Sequence, residues 1–315
     1  MHVYRIFGVT LESDFPLPEL TKTTRFDGCP SEKIFLRKSN FRFEIPRREW
    51  ILSRGLAYWM SPSCRFGIVR SPLAGDFKVD FFKRVIDWSP SQKKSPRLAN
   101  TLASGKVLGF LLSHLQSSIV LHASVLALGG KAVGFLGPSG VGKSTLAASF
   151  LNQGHPLLSD DLAVIRKRED HFLLQPGPPT IRLWPETDRR LNRFHLNGDR
   201  VYPETEKKLF RLGHGMPWRF LSKPIVLGSL YFLARKRRGG IQIERLAQKE
   251  ALIDLHCNLY NQVVEAPKVR ERQFKIAAEL VQKVPVKRLV YSTGFAHLTR
   301  VRQAILKDLN HRRNK

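Results

Sequence analysis

Gly137-Pro-Ser-Gly-Val-Gly-Lys-Ser144 is the stretch whose reading decides the fold. It matches G-x-x-x-x-G-K-[ST], follows the apolar run Ala132 to Leu136, and leads into Leu146, Ala147, Phe150 and Leu151 at helical spacing. Strand, glycine-rich loop and helix in that order predict a phosphate-binding loop in an α/β fold. Gly137, Gly140 and Gly142 allow backbone N–H groups to curl around phosphate oxygens, since positive φ and close approach exclude side chains. The motif assigns Gly137, Pro138, Ser139, Gly140, Val141, Gly142, Lys143, Ser144 and Thr145 to nucleotide binding, with Lys143 on the β- and γ-phosphates and Ser144 on Mg²⁺. A nucleoside triphosphate with Mg²⁺ is thus expected, and the loop alone leaves ATPase, GTPase, transporter motor, nucleic-acid motor and kinase open; ATP as the cofactor follows from the resemblance given below. A plain strand-to-helix turn with a chance lysine explains the glycines but not both flanks.

Working outward, Gly154 is suited to stop the helix and Pro156 to Ile165 reads as a strand. The helix carries the chain roughly 15–18 Å away, and the extended return covers about 20 Å, so Asp160 and Asp161 come back to the γ-phosphate. Strand alternation would turn one carboxylate to the transferred group and the other to the metal or the fold. A solvated Asp-Asp loop is the alternative. Upstream, Ile119 to Leu128 reads as a strand, and Gly129-Gly130 as a two-residue hairpin turn. Pairing Leu128 with Lys131 then puts His122 opposite Gly137, either beside the chemistry or as a satisfied core histidine. Arg182, in Ile-Arg-Leu-Trp, is a candidate to neutralise a transferring phosphoryl group, or an ordinary strand-edge arginine.

The segment Leu121 to Asp161 resembles the catalytic core of HPr kinase/phosphorylase, in which a histidine precedes the phosphate loop and a Gly-His pair leads into Asp-Asp at these distances. The resemblance is strong over about residues 98–165. Pro176 to Pro185 and the C-terminal helices look like a divergent branch found with lasso-peptide biosynthesis genes, whose members phosphorylate the C-terminal residue, often serine, of a precursor peptide. It implies a P-loop kinase core of the HPr kinase/PEP carboxykinase type. It also implies Asp161 as the base for the acceptor hydroxyl, His122 as an active-site partner, Lys143 and Ser144 on the triphosphate and metal, and Asp160 in support of the metal. Pro138, Thr145 and Thr180 stand where the sugar-regulation enzymes carry acidic residues, and Glu186 is a candidate replacement.

The remaining sequence sets the frame. With 315 residues and 42% hydrophobic content, the chain can bury a sizeable core, which excludes a disordered protein or a mini-protein. Short apolar-polar segments punctuated by prolines predict a smaller β-rich N-terminal lobe over 1–96, with a catalytic domain over 97–315. Helical spacing runs from Leu98 to Leu115 and over 249–260, 267–283 and 295–310. Ser229 to Ala234 and Ile241 to Leu246 read as a second hairpin with a solvated Arg235-Lys-Arg-Arg238 tip.

Cys29, Cys64 and Cys257 are too scattered for a disulfide framework or zinc site, which fits a cytoplasmic protein. The N-terminus lacks a secretory pattern, and the apolar stretch Val107 to Leu128 is too interrupted for membrane insertion. The net charge of +27, with 53 Lys and Arg against 26 Asp and Glu, favours an acidic peptide or ATP as partner. Nucleic acid ranks second, because no aromatics interleave the basic runs. A homo-oligomer is left open.

Overall fold

The computed structural model describes residues 1–22, 32–53, 55–92, 95–115, 118–192, 195–202, 205–213, 215, 217–237, 239–260 and 266–310. Among them the chain forms three sheets. The first takes β1 (His2–Ile6), β2 (Val9–Ser13), β3 (Lys33–Lys38), β4 (Ile51–Ser53), β5 (Leu56–Met60), β6 (Phe66–Ser71), β7 (Gly75–Asp80) and β8 (Val85–Pro90) in the order β1-β2-β3-β8-β7-β6-β5-β4. Alternation buries Ile34 and Leu36 of β3, Phe77 and Val79 of β7 and Ile86 of β8. The helical spacing after residue 96 becomes α1 (Pro96–Leu102), a π turn (Ala103–Val107) and α2 (Leu108–Ser113). Leu98, Leu102, Leu108, Phe110 and Leu112 pack into one apolar cluster with the N-terminal strands.

The second sheet carries the phosphate loop. It contains β9 (Ser118–Leu121), β10 (Ser124–Leu128), β11 (Lys131–Leu136), β12 (Leu157–Ser159), β13 (Ala163–Arg168), β14 (His171–Gln175), β18 (Ile225–Lys236), β19 (Gln242–Arg245) and β20 (Val286–Ser292). Between them lie α3 (Lys143–Leu151), β15 (Thr180–Leu183), α4 (Pro185–Leu191), β16 (Asp199–Arg200), β17 (Lys208–Arg211), α5 (Gln248–Cys257) and α6 (Pro267–Lys283), and α7 (Leu298–Asn310) follows. Strands β15, β17 and β16 make the third sheet.

Strands β11 and β18 run parallel at the centre and are apolar on both faces, as a doubly covered sheet requires. Ala132 and Leu136 point to α5 and α6, while Val133 and Phe135 point to α3 and α7.

The hairpin turn is as expected: Gly129 and Gly130 have φ of 59° and 80°, and Leu128 pairs with Lys131. Four other expectations are corrected. The run 119–128 is two strands, because β9 pairs with β13 while β10 pairs with β11 and β12. The chain crosses between them at His122, so the β10–β11 ladder ends at Ser124 and Phe135 and never pairs His122 with Gly137. Asn258, just past α5, takes over both backbone groups. Its carbonyl accepts from the His122 N–H at 3.0 Å, and its Oδ1 accepts from the Gly137 N–H at 3.2 Å.

The run 156–165 also breaks, into β12 and β13, with Asp160 and Asp161 in the bend. The second hairpin does not form, since β20 lies between β18 and β19, parallel to the first and antiparallel to the second. Lys287 and Arg288 hide β20 from a reading of apolar runs, yet Lys287 is buried and ion-paired to Asp308 of α7.

Gly109 of α2 sets how closely the helix approaches the bend. A Cβ there would lie 2.7 Å from Leu162 Cδ1 and 3.2 Å from Tyr260 Cε1. Gly109→Val, whose branched side chain adds bulk against Leu162 and Tyr260 with little gain in helix propensity, is expected to lose about 1–3 kcal/mol in chemical denaturation, the range for overpacking a tight contact. An unchanged midpoint would show that this contact does not set the spacing.

Candidate active site

The phosphate loop forms because β11 ends against β18 and the chain must reverse into α3. Gly137, Gly140 and Gly142 take φ of 130°, 82° and 104°, so the glycine pattern is used as the motif requires. Lys143 is buried, and its Nζ donates to the carbonyls of Gly137 at 2.7 Å and Pro138 at 3.0 Å, closing the loop on itself. Thr145 Oγ1 lies 3.0 Å from Thr187 Oγ1, tying the start of α3 to α4.

A cavity of about 330 Å³ opens over this loop. It gathers His122, Ser139, Gly140, Gly142, Lys143, Ser144, Thr145, Asp160, Asp161 and Arg182 of the sequence candidates. Gly137, Pro138 and Val141 do not line it; they shape the loop from behind, through the Lys143 bonds and the packing of Val141.

The two aspartates divide their contacts, though through a bend and not through strand alternation. Asp160 Oδ1 accepts from Ser144 Oγ at 2.9 Å and from Ser124 Oγ, and its Oδ2 accepts from the Arg182 N–H at 3.0 Å. Asp161 has φ of 75°, a left-handed conformation that a non-glycine residue adopts only when its surroundings hold it. Here those surroundings are Arg182 Nη1, which donates to Asp161 Oδ2, and His122 Nδ1, which lies 2.7 Å from the Asp161 carbonyl and 3.4 Å from Oδ1. A carbonyl only accepts, so Nδ1 carries a proton.

Burial acts to raise the Asp161 pKa. The charges of Arg182, His122, Lys106 and Lys207 outweigh it and hold the carboxyl well below the usual carboxylate range. Burial likewise opposes the Arg182 charge, but Tyr202, Asp161, Asp160 and Glu19 more than restore it and lift the guanidinium above its ordinary value. The Arg182 Cζ sits 5.0 Å from the Tyr202 ring centre. Arg182 is thus held on both sides, by the Asp161 carboxylate and the Tyr202 ring.

The Ser144 hydroxyl with the Asp160 carboxylate is a hard-oxygen pair of the kind that holds Mg²⁺ jointly with substrate phosphates. Among the described residues no group of three or more His, Cys, Asp or Glu gathers, so the metal shell would be completed by phosphate and water. Thr180 is buried in β15 and does not line the cavity. Glu186 does line it, at an exposed position 3.8 Å from Arg190.

Several lining residues were missed in the sequence: Ser124, Trp184, Thr187, Lys207, Arg235 and Tyr291. The last two come from the ends of β18 and β20, and only the knowledge that β18 lies beside β11 and β20 beside β18 could have placed them there. Of the basic tetrad, Arg235 belongs to the cavity, and Arg238 lies outside the described residues. The end of the basic tail, 311–315, and Cys29 also lie outside them.

No family model matches the chain. HPr kinase/phosphorylase of Peptoclostridium acidaminophilum is 33% identical over 86 residues, covering 27% of this chain and 28% of that protein. The same enzyme of Brevibacillus brevis is 33% identical over 117 residues, or 37% and 36%. That of Bacillus subtilis is 34% identical over 88 residues, or 28% of each. The chain thus matches between 28% and 36% of the length of these relatives. Among solved structures, the HPr(Ser) kinase/phosphatase of Coxiella burnetii aligns with a TM-score of 0.32 at 11% identity, covering 62% of this chain and 97% of that one.

The Asp161 contacts give a stability prediction. Because its folded pKa is depressed, its contribution is present above the unfolded value, near 3.9, and fades as pH falls below about 4. Asp161→Asn should be less stable than the parent at pH 7 by about 1.5–3 kcal/mol, the range for a charged hydrogen bond. The gap should close in acid. A gap that stays constant from pH 7 to pH 3 would contradict the ion pair.

Proposed function

We propose that this chain is an ATP-dependent kinase that transfers the γ-phosphate to a serine hydroxyl of an acidic peptide. On this reading residues 97–315 form a P-loop catalytic domain of the HPr kinase/PEP carboxykinase type, and 1–96 a β-rich lobe. The observation that carries it is the convergence on one phosphate-loop cavity of two adjacent aspartates with separate partners. An ATPase needs the loop and Asp160 but gives no task to a second carboxylate flanked by histidine and arginine. The sequence similarity to HPr kinase/phosphorylase points the same way, over roughly a quarter to a third of the chain.

In the proposed reaction the acceptor oxygen forms a bond to the γ-phosphorus, the bond to the β–γ bridging oxygen breaks, and ADP leaves. Ser144 and Asp160 would hold Mg²⁺, which would supply positive charge to the phosphates when bound. Lys143 holds the β- and γ-phosphates. Asp161 orients the hydroxyl and takes its proton. In a loose phosphoryl transition state charge spreads over the phosphoryl oxygens and little covalent work falls to the protein. A carboxylate kept fully ionised therefore suffices, though it is a weak base. Arg182 offers fixed positive charge beside the transferring group, and His122 keeps Asp161 in place.

The acceptor side is electropositive. Lys106 and Lys207 both bear on Asp161, and their ammonium groups sit 5.3 Å and 5.2 Å from the rings of Tyr202 and Trp184. That field suits an acidic peptide. The substrate implied by the resemblance, the C-terminal serine of a lasso-peptide precursor, brings its own α-carboxylate.

The test is incubation with γ-labelled ATP and serine peptides, each as free acid and as amide, from about 0.01 M to 0.15 M salt. Over that range screening shortens from about 30 Å to 8 Å. Label is expected on serine, with transfer weaker for the amide and weaker still at high salt. Label released only as free phosphate would make the chain an ATPase. No turnover of ATP at all would leave a nucleotide-gated binding module.

A further inference from the structure

Strand β18 lies parallel to β11 with Phe232 opposite Leu136, so its next residues run alongside the phosphate loop. Tyr231 and Leu233 pack on the α3 face, and alternation carries Arg235 to that face as the strand leaves the sheet. Its side chain turns over the loop, where Nε donates to the Val141 carbonyl at 2.6 Å. The guanidinium lies so close to Gly142 that a Cβ there would meet Arg235 Nη2 at 2.4 Å. Tyr291, from the neighbouring β20, reaches the same carbonyl at 3.4 Å. Arg235 itself lines the cavity.

We propose that Arg235 is a second cationic ligand of the nucleotide phosphates, acting from the Val141–Gly142 side of the loop. The inference rests on the nucleotide reading above and adds a residue to it. The Nε bond to Val141 and a hydrogen bond with the Tyr291 hydroxyl orient the guanidinium and leave further N–H donors of its five for a ligand. The plane is thereby set against the loop whose N–H groups face phosphate, and the fork geometry suits phosphate oxygens. Gly142 is required on this account for two reasons, its φ of 104° and the space that Arg235 takes. The other loop cation, Lys143, also lines the cavity and is anchored through the carbonyls of Gly137 and Pro138, whereas Arg235 is anchored at Val141.

The experiment is isothermal titration of the full chain with Mg-ATP and, separately, with inorganic tripolyphosphate. Parent, Arg235→Gln, Arg235→Lys and Arg237→Gln are compared. Arg235→Gln should weaken both ligands by the same factor, roughly 10- to 100-fold for a lost charged hydrogen bond. That deficit should shrink as salt rises, because a charge contact is screened and a hydrogen bond to a loop carbonyl is not. Arg235→Lys should fall between, and Arg237→Gln should bind like the parent.

Unchanged affinity in Arg235→Gln would overturn the proposal. So would a loss for ATP without a loss for tripolyphosphate, which would place Arg235 on the base, or a salt-independent deficit, which would leave it only bracing the loop. If Arg235→Gln does not fold, Arg235→Lys decides on the same criteria. Failure of the parent to bind either ligand would defeat the nucleotide reading and this inference together, whereas parent binding with an indifferent Arg235 would defeat the inference alone.

Discussion

The left-handed bend at Asp161 is the constraint around which the site is arranged. Two strands that could have run as one, β12 and β13, belong to different parts of the sheet, and the chain changes course at Asp160 and Asp161. A non-glycine residue at φ of 75° costs on the order of 1–3 kcal/mol unless it is held. Arg182 holds its carboxylate and His122 its carbonyl. The same bend sends Asp160 toward the start of α3, so one local distortion points one carboxylate to Ser144 and the other to Arg182 and His122. Had the segment continued as a strand, alternation would have turned one aspartate away from the cavity.

The elements that hold this bend come from across the chain. Arg182 arrives on β15, in a sheet of its own, and its backbone N–H is tied to Asp160. Gly109 of α2 lets Leu162 and Tyr260 close in beneath the bend. The π turn at Ala103–Val107 brings Lys106 near enough to act on Asp161, in keeping with the tendency of such turns to lie at functional sites. Asn258 closes the gap where the β10–β11 ladder stops short of His122 and Gly137. The N-terminal sheet joins the same apolar cluster as α1 and α2, and Arg166 of β13 reaches its Glu32 at 3.0 Å. The site therefore draws its rigidity from the first sheet as well as from the second.

Much of this was legible in the residues. The loop could be read because glycine spacing, lysine and the two flanking periodicities must agree, and local chemistry dictates all of them. The hairpin turn at Gly129-Gly130 was equally local. Strand alternation predicts separate surroundings for Asp160 and Asp161, and their contacts do differ, but through a bend: a break between two strands leaves no periodic trace when both are apolar. His122 was placed at the site by a register that stops two residues short of it, and Asn258, which supplies the missing bonds, carries no motif. The supposed second hairpin failed because β20 is far away in sequence and its buried Lys287 masks its pattern. Arg235 and Tyr291 were invisible for the same reason, since a strand end becomes part of a site only through its neighbours in the sheet.

The central claim is that the bend assigns Asp160 to the metal-bound phosphates and Asp161 to the acceptor. Its most direct test is a Mg²⁺ titration of both ATP binding and phosphoryl transfer in Asp160→Asn and Asp161→Asn. The account predicts that Asp160→Asn needs more Mg²⁺ for binding, whereas Asp161→Asn binds Mg-ATP like the parent and loses about 10²- to 10⁴-fold in transfer. Identical profiles for the two variants, or a Mg²⁺ defect confined to Asp161→Asn, would contradict it.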